Sequence, residues 1–220
     1  MDNNNQKLTL NNGWCLGYAE YGISTRKPVF HFHGAGSSRL ERPAVENILK
    51  QINIRFVSVD RPGHGLSNFQ PNRQRIDWPN NIAQPADHLR ISQFYLTGHS
   101  AGGPYVLTRA HRLPERVIAG AVMSRVAPMS RSKAYEGMPF LNQLLARSSR
   151  QLPWFTKLIC WIMQKIVAGE VEKATRQQMS SIPASDKEII DDPKNIEILV
   201  SSIREGFVKG IKELPRMIFG

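Results

Sequence analysis

The sequence predicts an α/β protein built on a mostly parallel sheet, on three observations. Short apolar runs at 28–33, 54–60, 92–96 and 116–123 alternate with helix-like stretches, the order that crossover helices and a parallel sheet require. Three of these runs end abruptly in glycine-rich segments: His33-Gly34-Ala35-Gly36, Arg61-Pro62-Gly63-His64-Gly65 and Gly98-His99-Ser100-Ala101-Gly102. From Ala127 onward the texture becomes helical, so a smaller helical unit follows the sheet.

Each element has a local reason. Leu8-Thr9-Leu10 and Trp14 to Tyr21 flank Asn11-Asn12-Gly13, a hairpin turn signal. Pro28 to His33 is a strand feeding the loop Gly34-Ala35-Gly36-Ser37-Ser38, and a helix over Glu41 to Gln51 leads to a buried strand over Ile54 to Asp60. Trp78 to Leu89 reads as a helix capped by Asp77 with Pro79 in its first turn, and Pro85 is expected to kink or split it. Ser92 to Leu96 is a strand, Ser100 to His111 a helix and Arg116 to Met123 a strand. Helices are then expected over Leu141 to Arg147, Pro153 to Ala168 and Pro193 to Leu214. Ser185-Asp186-Lys187-Glu188 is a capping-box signature, and Asp192-Pro193 is a cap followed by a first-turn proline. In the last helix Ile196, Leu199, Val200, Ile203, Phe207 and Ile211 follow helical spacing, so one face is buried. Leu152 to Ala168 is apolar, but it is too short and too broken by Lys157 and Lys165 to cross a bilayer. It reads as a lid helix whose apolar face covers a pocket, with weak contact to a membrane surface as the alternative.

Composition narrows the function classes. A chain of 220 residues with 41% hydrophobic and 21% charged residues supports one substantial core with an appended subdomain. Two cysteines, Cys15 and Cys160, cannot form a disulfide scaffold and read as small buried hydrophobes. The net charge of +11 is scattered, with small clusters at Arg125 to Lys133 and Arg147 to Arg150 and no aromatic-interleaved basic stripe, so no nucleic-acid partner is expected. The polar start, Met1 to Lys7, lacks the apolar segment of a secretory signal, which makes a cytoplasmic location the expectation.

Ser100 is the candidate nucleophile. It stands in Gly-x-Ser-x-Gly between a strand and a helix, a corner so sharp that Gly98 and Gly102 must flank it. The Ala101 N–H then sits at a helix start, where unpaired amides and the helix dipole favour a developing oxyanion. His31 and His33 alternate along a strand and would share a face, but a metal site needs three or four ligands and nothing completes the set. Neither a metal nor a cofactor is expected. Gly34 to Ser38 lacks the Gly-Lys-Ser/Thr ending of a phosphate loop.

With these residues the chain resembles an α/β-hydrolase over nearly its whole length, most like proline-iminopeptidase-like and esterase-like members. His33-Gly34-Ala35-Gly36 resembles the oxyanion loop, Asp60-Arg61-Pro62-Gly63-His64-Gly65-Leu66-Ser67 the turn after the next strand, and Gly98-His99-Ser100-Ala101-Gly102-Gly103 the nucleophile elbow. Leu113-Pro114-Glu115-Arg116-Val117 and Val126-Ala127-Pro128 fit the same pattern. The resemblance implies a serine hydrolase acting on an ester or amide of a small substrate. Ser100 would attack, and Ala35 and Ala101 would supply oxyanion N–H groups, with Gly36 allowing close backbone approach. Gly98, His99 and Gly102 would support the elbow, His99 by packing or by holding groups that line the site, while Asp60 and His64 would be architectural. It divides the chain into core over 1–128, helical cap over 129–214 and returning core over 215–220. The apolar cap residues Trp154, Phe155, Ile159, Trp161, Ile162 and Met163 suggest a partly apolar substrate.

The resemblance also carries a conflict. Its order along the chain is nucleophile, acid, histidine, yet the six histidines are at 31, 33, 64, 88, 99 and 111. The expectation is a hydrolase truncated at the C-terminus, lacking the last two core strands with their Asp and His. Such a chain would be inactive or nearly so, and Val117 to Met123 would form an apolar sheet edge. The alternative is a non-catalytic ligand- or partner-binding protein of the same fold.

Overall fold

In a computed structural model, residues 3–43, 46–69, 80–124, 136–137, 140–179 and 192–208 are described. Strand β1 (Gln6–Thr9) folds back antiparallel on β2 (Cys15–Gly22), and Gly13, at φ +81°, makes the left-handed bend between them. β2 then pairs antiparallel with β4 (Ile54–Val59). The rest is parallel: β4 with β3 (Lys27–Phe32), β3 with β5 (Phe94–His99), and β5 with β6 (Val117–Met123). The sheet order is β1-β2-β4-β3-β5-β6. The predicted fold class is therefore observed, with six strands in an open sheet among the described residues.

β3, β4 and β5 lie side by side and point the same way, so the three glycine-rich segments emerge together at their C-terminal ends. In open α/β sheets that end is where ligands bind. The central strands hold this end rigid because they are fully packed: Phe30, Phe32, Val57, Val59 and Phe94 have no exposed surface. Phe30 and Phe94 meet edge-to-face at 5.0 Å.

Helices α1 (Glu46–Gln51), α2 (Asn80–His88) and α3 (Gly103–Arg112) accompany the sheet. Three boundaries differ from expectation. Glu41 to Pro43 are not helical, because Pro43 disfavours the helical region at Arg42 and the Glu41 side chain is committed elsewhere. Pro85 does not split α2: it falls three residues before the end, so only the Asn81 carbonyl loses its donor. The cap Asp77 and Pro79 lie outside the described residues. β5 runs on past Leu96 to His99, because Thr97 to His99 pair with Ala121 to Met123.

The helical unit contains α4 (Phe140–Gln151), α5 (Pro153–Gly169), α6 (Val171–Met179) and α7 (Pro193–Ile203), the last running into a π turn at Arg204–Val208. Asp192 caps α7 through Oδ1, which accepts from the Lys194 N–H at 2.8 Å. Ile196 and Val200 pack against Val171 of α6, a helix the sequence reading passed over because its residues are mostly polar. The expected capping box at Ser185 to Glu188, the last residues of the expected final helix and the boundary at residue 128 lie outside the described residues.

Three expectations about exposure meet different outcomes. Among the described residues β6 is the edge of the sheet, with Ile118 51% and Met123 46% exposed. Cys15 is half-buried rather than buried, since β2 begins at the rim of the sheet, and the Cys160 side chain is outside the described set. The α5 face assigned to a pocket instead faces solvent, with Trp154 65% and Trp161 53% exposed. What packs on α4 is the opposite side of α5, where buried Thr156 and Ser148 hydroxyls bond at 2.7 Å.

Candidate active site

β5 turns directly into a 3₁₀ turn, Ser100–Gly102, and then α3. At the bend Ser100 has φ +49°, a left-handed conformation that L side chains rarely adopt and that costs about 1–3 kcal/mol. Two glycines make the bend possible. A Cβ on Gly98 would stand 2.7 Å from the Gly102 carbonyl oxygen, and one on Gly102 would stand 2.0 Å from the Phe32 carbonyl oxygen. The second contact also shows how closely the elbow sits on the end of β3. Ala101 occupies the first turn, where amides have no intrahelical acceptor.

The loop after β3 is held by its carbonyl. Gly34 O accepts from His33 Nδ1 at 2.9 Å and from Arg61 Nη2 at 2.9 Å. His33 Nε2 accepts from the Arg61 backbone N–H at 3.0 Å, so its proton resides on Nδ1. Burial, and then the Arg61 charge, hold the His33 pKa well below 6.5, and the ring is neutral. Because a trans peptide sets C=O and N–H in opposite directions, fixing Gly34 O also fixes where the Ala35 N–H points. Arg61 Nη1 makes a longer contact, 3.4 Å, with Ala101 O. One buried guanidinium thus touches both the loop and the elbow. Gly36, at φ +72°, turns the loop away, and Ala35 is exposed.

Glu41 forms a second bridge. Its Oε2 accepts from the Gly34 N–H at 3.1 Å, while Oε1 is 3.1 Å from both His31 Nε2 and His99 Nδ1. Burial pushes the Glu41 pKa up, but the hydrogen bonds from His31 and His99 outweigh it and hold the carboxyl well below 4.5. The hydrogen bond to Glu41 in turn raises His99 above 6.5. His99, expected to pack or to support the site from beside the nucleophile, is tied to the loop through Glu41. Sequence reasoning missed Glu41 and Arg61, since one was placed at a helix start and the other in a turn. The available signal was a charged residue beside each glycine-rich segment.

Asp60 is fully buried and accepts from the Arg39 N–H at 2.6 Å, Arg39 Nη1 at 3.1 Å and the Leu66 N–H at 2.8 Å. Burial pushes its pKa up, and Arg39 opposes the shift. Arg39 also meets Glu205 at 3.1 Å, joining the π turn to the core. Buried His64 lies with its ring 4.9 Å from that of His33. Both nitrogens of His31 and of His33 take part in hydrogen bonds, His31 Nδ1 with Thr97 Oγ1 at 2.9 Å. All six histidines are described, and none hydrogen-bonds to Ser100. A cavity of about 500 Å³ opens beside Glu170, Val171, Lys173 and Arg176 and is lined by none of the loop residues.

Comparison with known proteins agrees with this architecture. The family described as "Serine aminopeptidase, S33" matches residues 23–216. Protein phosphatase methylesterase 1 of Candida albicans is 23% identical over 160 residues, covering 70% of this chain and 44% of that protein. The dihydrolipoyllysine-residue acetyltransferase component of the acetoin cleaving system of Pseudomonas putida is 30% identical over 139 residues, covering 63% of this chain and 36% of that protein. The chain thus spans less than half the length of these two relatives. Esterase RhEst1 from Rhodococcus sp. ECU1013 superposes with a TM-score of 0.64 at 15% identity, over 99% of this chain and 73% of that one. Open sheet, strand-to-helix bend and profile match agree: the chain belongs to the serine aminopeptidase S33 family of α/β-hydrolases.

Proposed function

We propose that this protein is a serine hydrolase of an ester or amide bond in a small, partly apolar substrate. The single observation carrying the proposal is Ser100 held at φ +49° on a strand-to-helix bend, since strain of this kind persists where a side chain must be presented. Ser100 Oγ attacks the carbonyl carbon, and the Ala35 and Ala101 N–H groups receive the charge on its oxygen, with Gly36 leaving room for the substrate. A base takes the serine proton and delivers it to the leaving alcohol or amine as the tetrahedral intermediate collapses, and water then releases the acyl group as the acid and restores the hydroxyl. Arg61, His33 and Glu41 keep the loop and elbow in register.

A serine needs a base, and no histidine here bonds to Ser100. The resemblance assigns that base and its acid partner to strands that follow the cap. Without them the rate falls by about 10⁴ to 10⁶. A second reading, a ligand-binding protein of the same fold, draws on the same observation. A fluorophosphonate probe on the folded chain separates them. Labelling lost in Ser100→Ala supports the hydrolase; an unlabelled folded protein that still binds acyl ligands supports the binding reading.

A further inference from the structure

Helix α5 is packed inside out. Its inward side buries Thr156, bonded to Ser148 at 2.7 Å, whereas Trp154, Leu158, Trp161 and Ile162 are 65%, 45%, 53% and 44% exposed. At about 100° per residue these four fall within roughly a 100° arc, a continuous stripe rather than scattered apolar residues. Leaving two tryptophans and two aliphatic side chains in water forgoes about 1.5–3 kcal/mol for each large side chain that could be buried. An exposed stripe of this kind marks an interaction surface.

Charge identifies what meets it. Residues 140–169 contain Arg147, Arg150, Lys157 and Lys165 and neither Asp nor Glu. Lys165 is exposed, follows the stripe by one turn, and places Nζ 5.9 Å from the centre of the Trp161 ring. A lysine whose stem lies along an aromatic on an apolar face can turn its ammonium outward to the polar layer, as in a helix lying in a membrane interface. A protein partner would need a matching apolar groove with acidic rims. An anionic bilayer supplies both apolar depth and negative charge without shape matching. We infer that α5 is an interfacial helix that docks this protein on anionic lipid surfaces, with Trp154, Leu158, Trp161 and Ile162 entering the acyl boundary and Lys165 meeting headgroup phosphates. The helix is 17 residues long and lies on the surface rather than crossing.

The test is co-sedimentation of the whole chain with phosphatidylcholine vesicles, with and without about one third phosphatidylglycerol, read alongside tryptophan emission. Binding and a blue shift are expected on the anionic vesicles only. The Trp154→Ser/Trp161→Ser variant keeps every charge and should bind at least tenfold more weakly. Lys165→Glu should weaken binding by at least about fivefold, the equivalent of one lysine near a charged surface. Both change exposed positions, so an unaltered thermal midpoint shows that folding is intact. Undiminished binding by the tryptophan variant overturns the inference, because charge alone would then suffice. So does failure of the parent chain to bind, or concentration-dependent dimerisation that shields the tryptophans without lipid. None of these readouts involves reactivity of Ser100, and Ser100→Ala should bind vesicles like the parent, so failure of docking and failure of the hydrolase proposal are separable.

Discussion

β3 and β6 belong to the same sheet and have similar apolar character, yet their surroundings differ sharply. Phe30 and Phe32 of β3 are fully buried, while Ile118 and Met123 of β6 are 51% and 46% exposed. The same division separates the elbow from α5. Around the elbow, buried charged groups such as Arg61, Arg39 and Asp60 are bonded to neighbouring backbone or side chains; on α5, two tryptophans face solvent over a buried hydroxyl pair. Apolar content therefore does not decide burial here. The two strands differ in their place in the sheet: β3 lies between β4 and β5, whereas only β5 flanks β6 among the described residues.

The largest effect expected from breaking this contrast is in the buried charges. Arg39→Met leaves Asp60 and Glu205 buried without their cation and should cost about 3–5 kcal/mol in urea unfolding. A cost under 1 kcal/mol would mean that this side of the molecule is no more tightly built than the exposed side. Arg61→Met should cost less, about 1–3 kcal/mol, since Gly34 O keeps its bond from His33. The same variant should lower fluorophosphonate labelling of Ser100 relative to the parent if the loop and elbow drift apart.

Ser100→Gly sharpens the contrast from the other direction. Glycine adopts φ +49° without steric cost, so unfolding should show a gain of about 1 kcal/mol that Ser100→Ala does not share. At the exposed faces the opposite is expected: Ile118→Lys should change stability by no more than about 0.5 kcal/mol while reducing aggregation in light scattering.

The smallest effect is in the ties through Glu41. His99 is raised, so its contribution is fully present below 6.5 and is lost as pH rises through its folded value. Glu41 is lowered, so its contribution is present above 4.5 and is lost as pH falls through its folded value. The tie is therefore strongest between 4.5 and 6.5. His33 acts in the other sense, because its lowered pKa destabilises the fold as pH falls below 6.5. Imidazole NMR should show His99 titrating above 6.5 while His33 stays neutral, and Glu41→Gln should bring His99 down. An unshifted His99 in that variant would show that Glu41 does not link loop and elbow.

Local chemistry was written in the chain. Alternating apolar runs, the hairpin turn at Gly13, the Asp192 cap and the Gly-x-Ser-x-Gly bend each depend on a few neighbouring residues whose preferences hold in almost any context. That is why the order of the strands along the chain and the position of the bend at Ser100 are legible in the sequence. Glu41, Arg61 and the outward face of α5 are not. Each depends on groups outside its own element: Glu41 reaches His99, Arg61 reaches Gly34 and Ala101, and the side of α5 that turns inward is the one on which Thr156 bonds to Ser148 of the preceding helix. Hydrogen-bond partners and covered faces are properties of how elements meet, and periodicity along one element carries no record of what lies across from it.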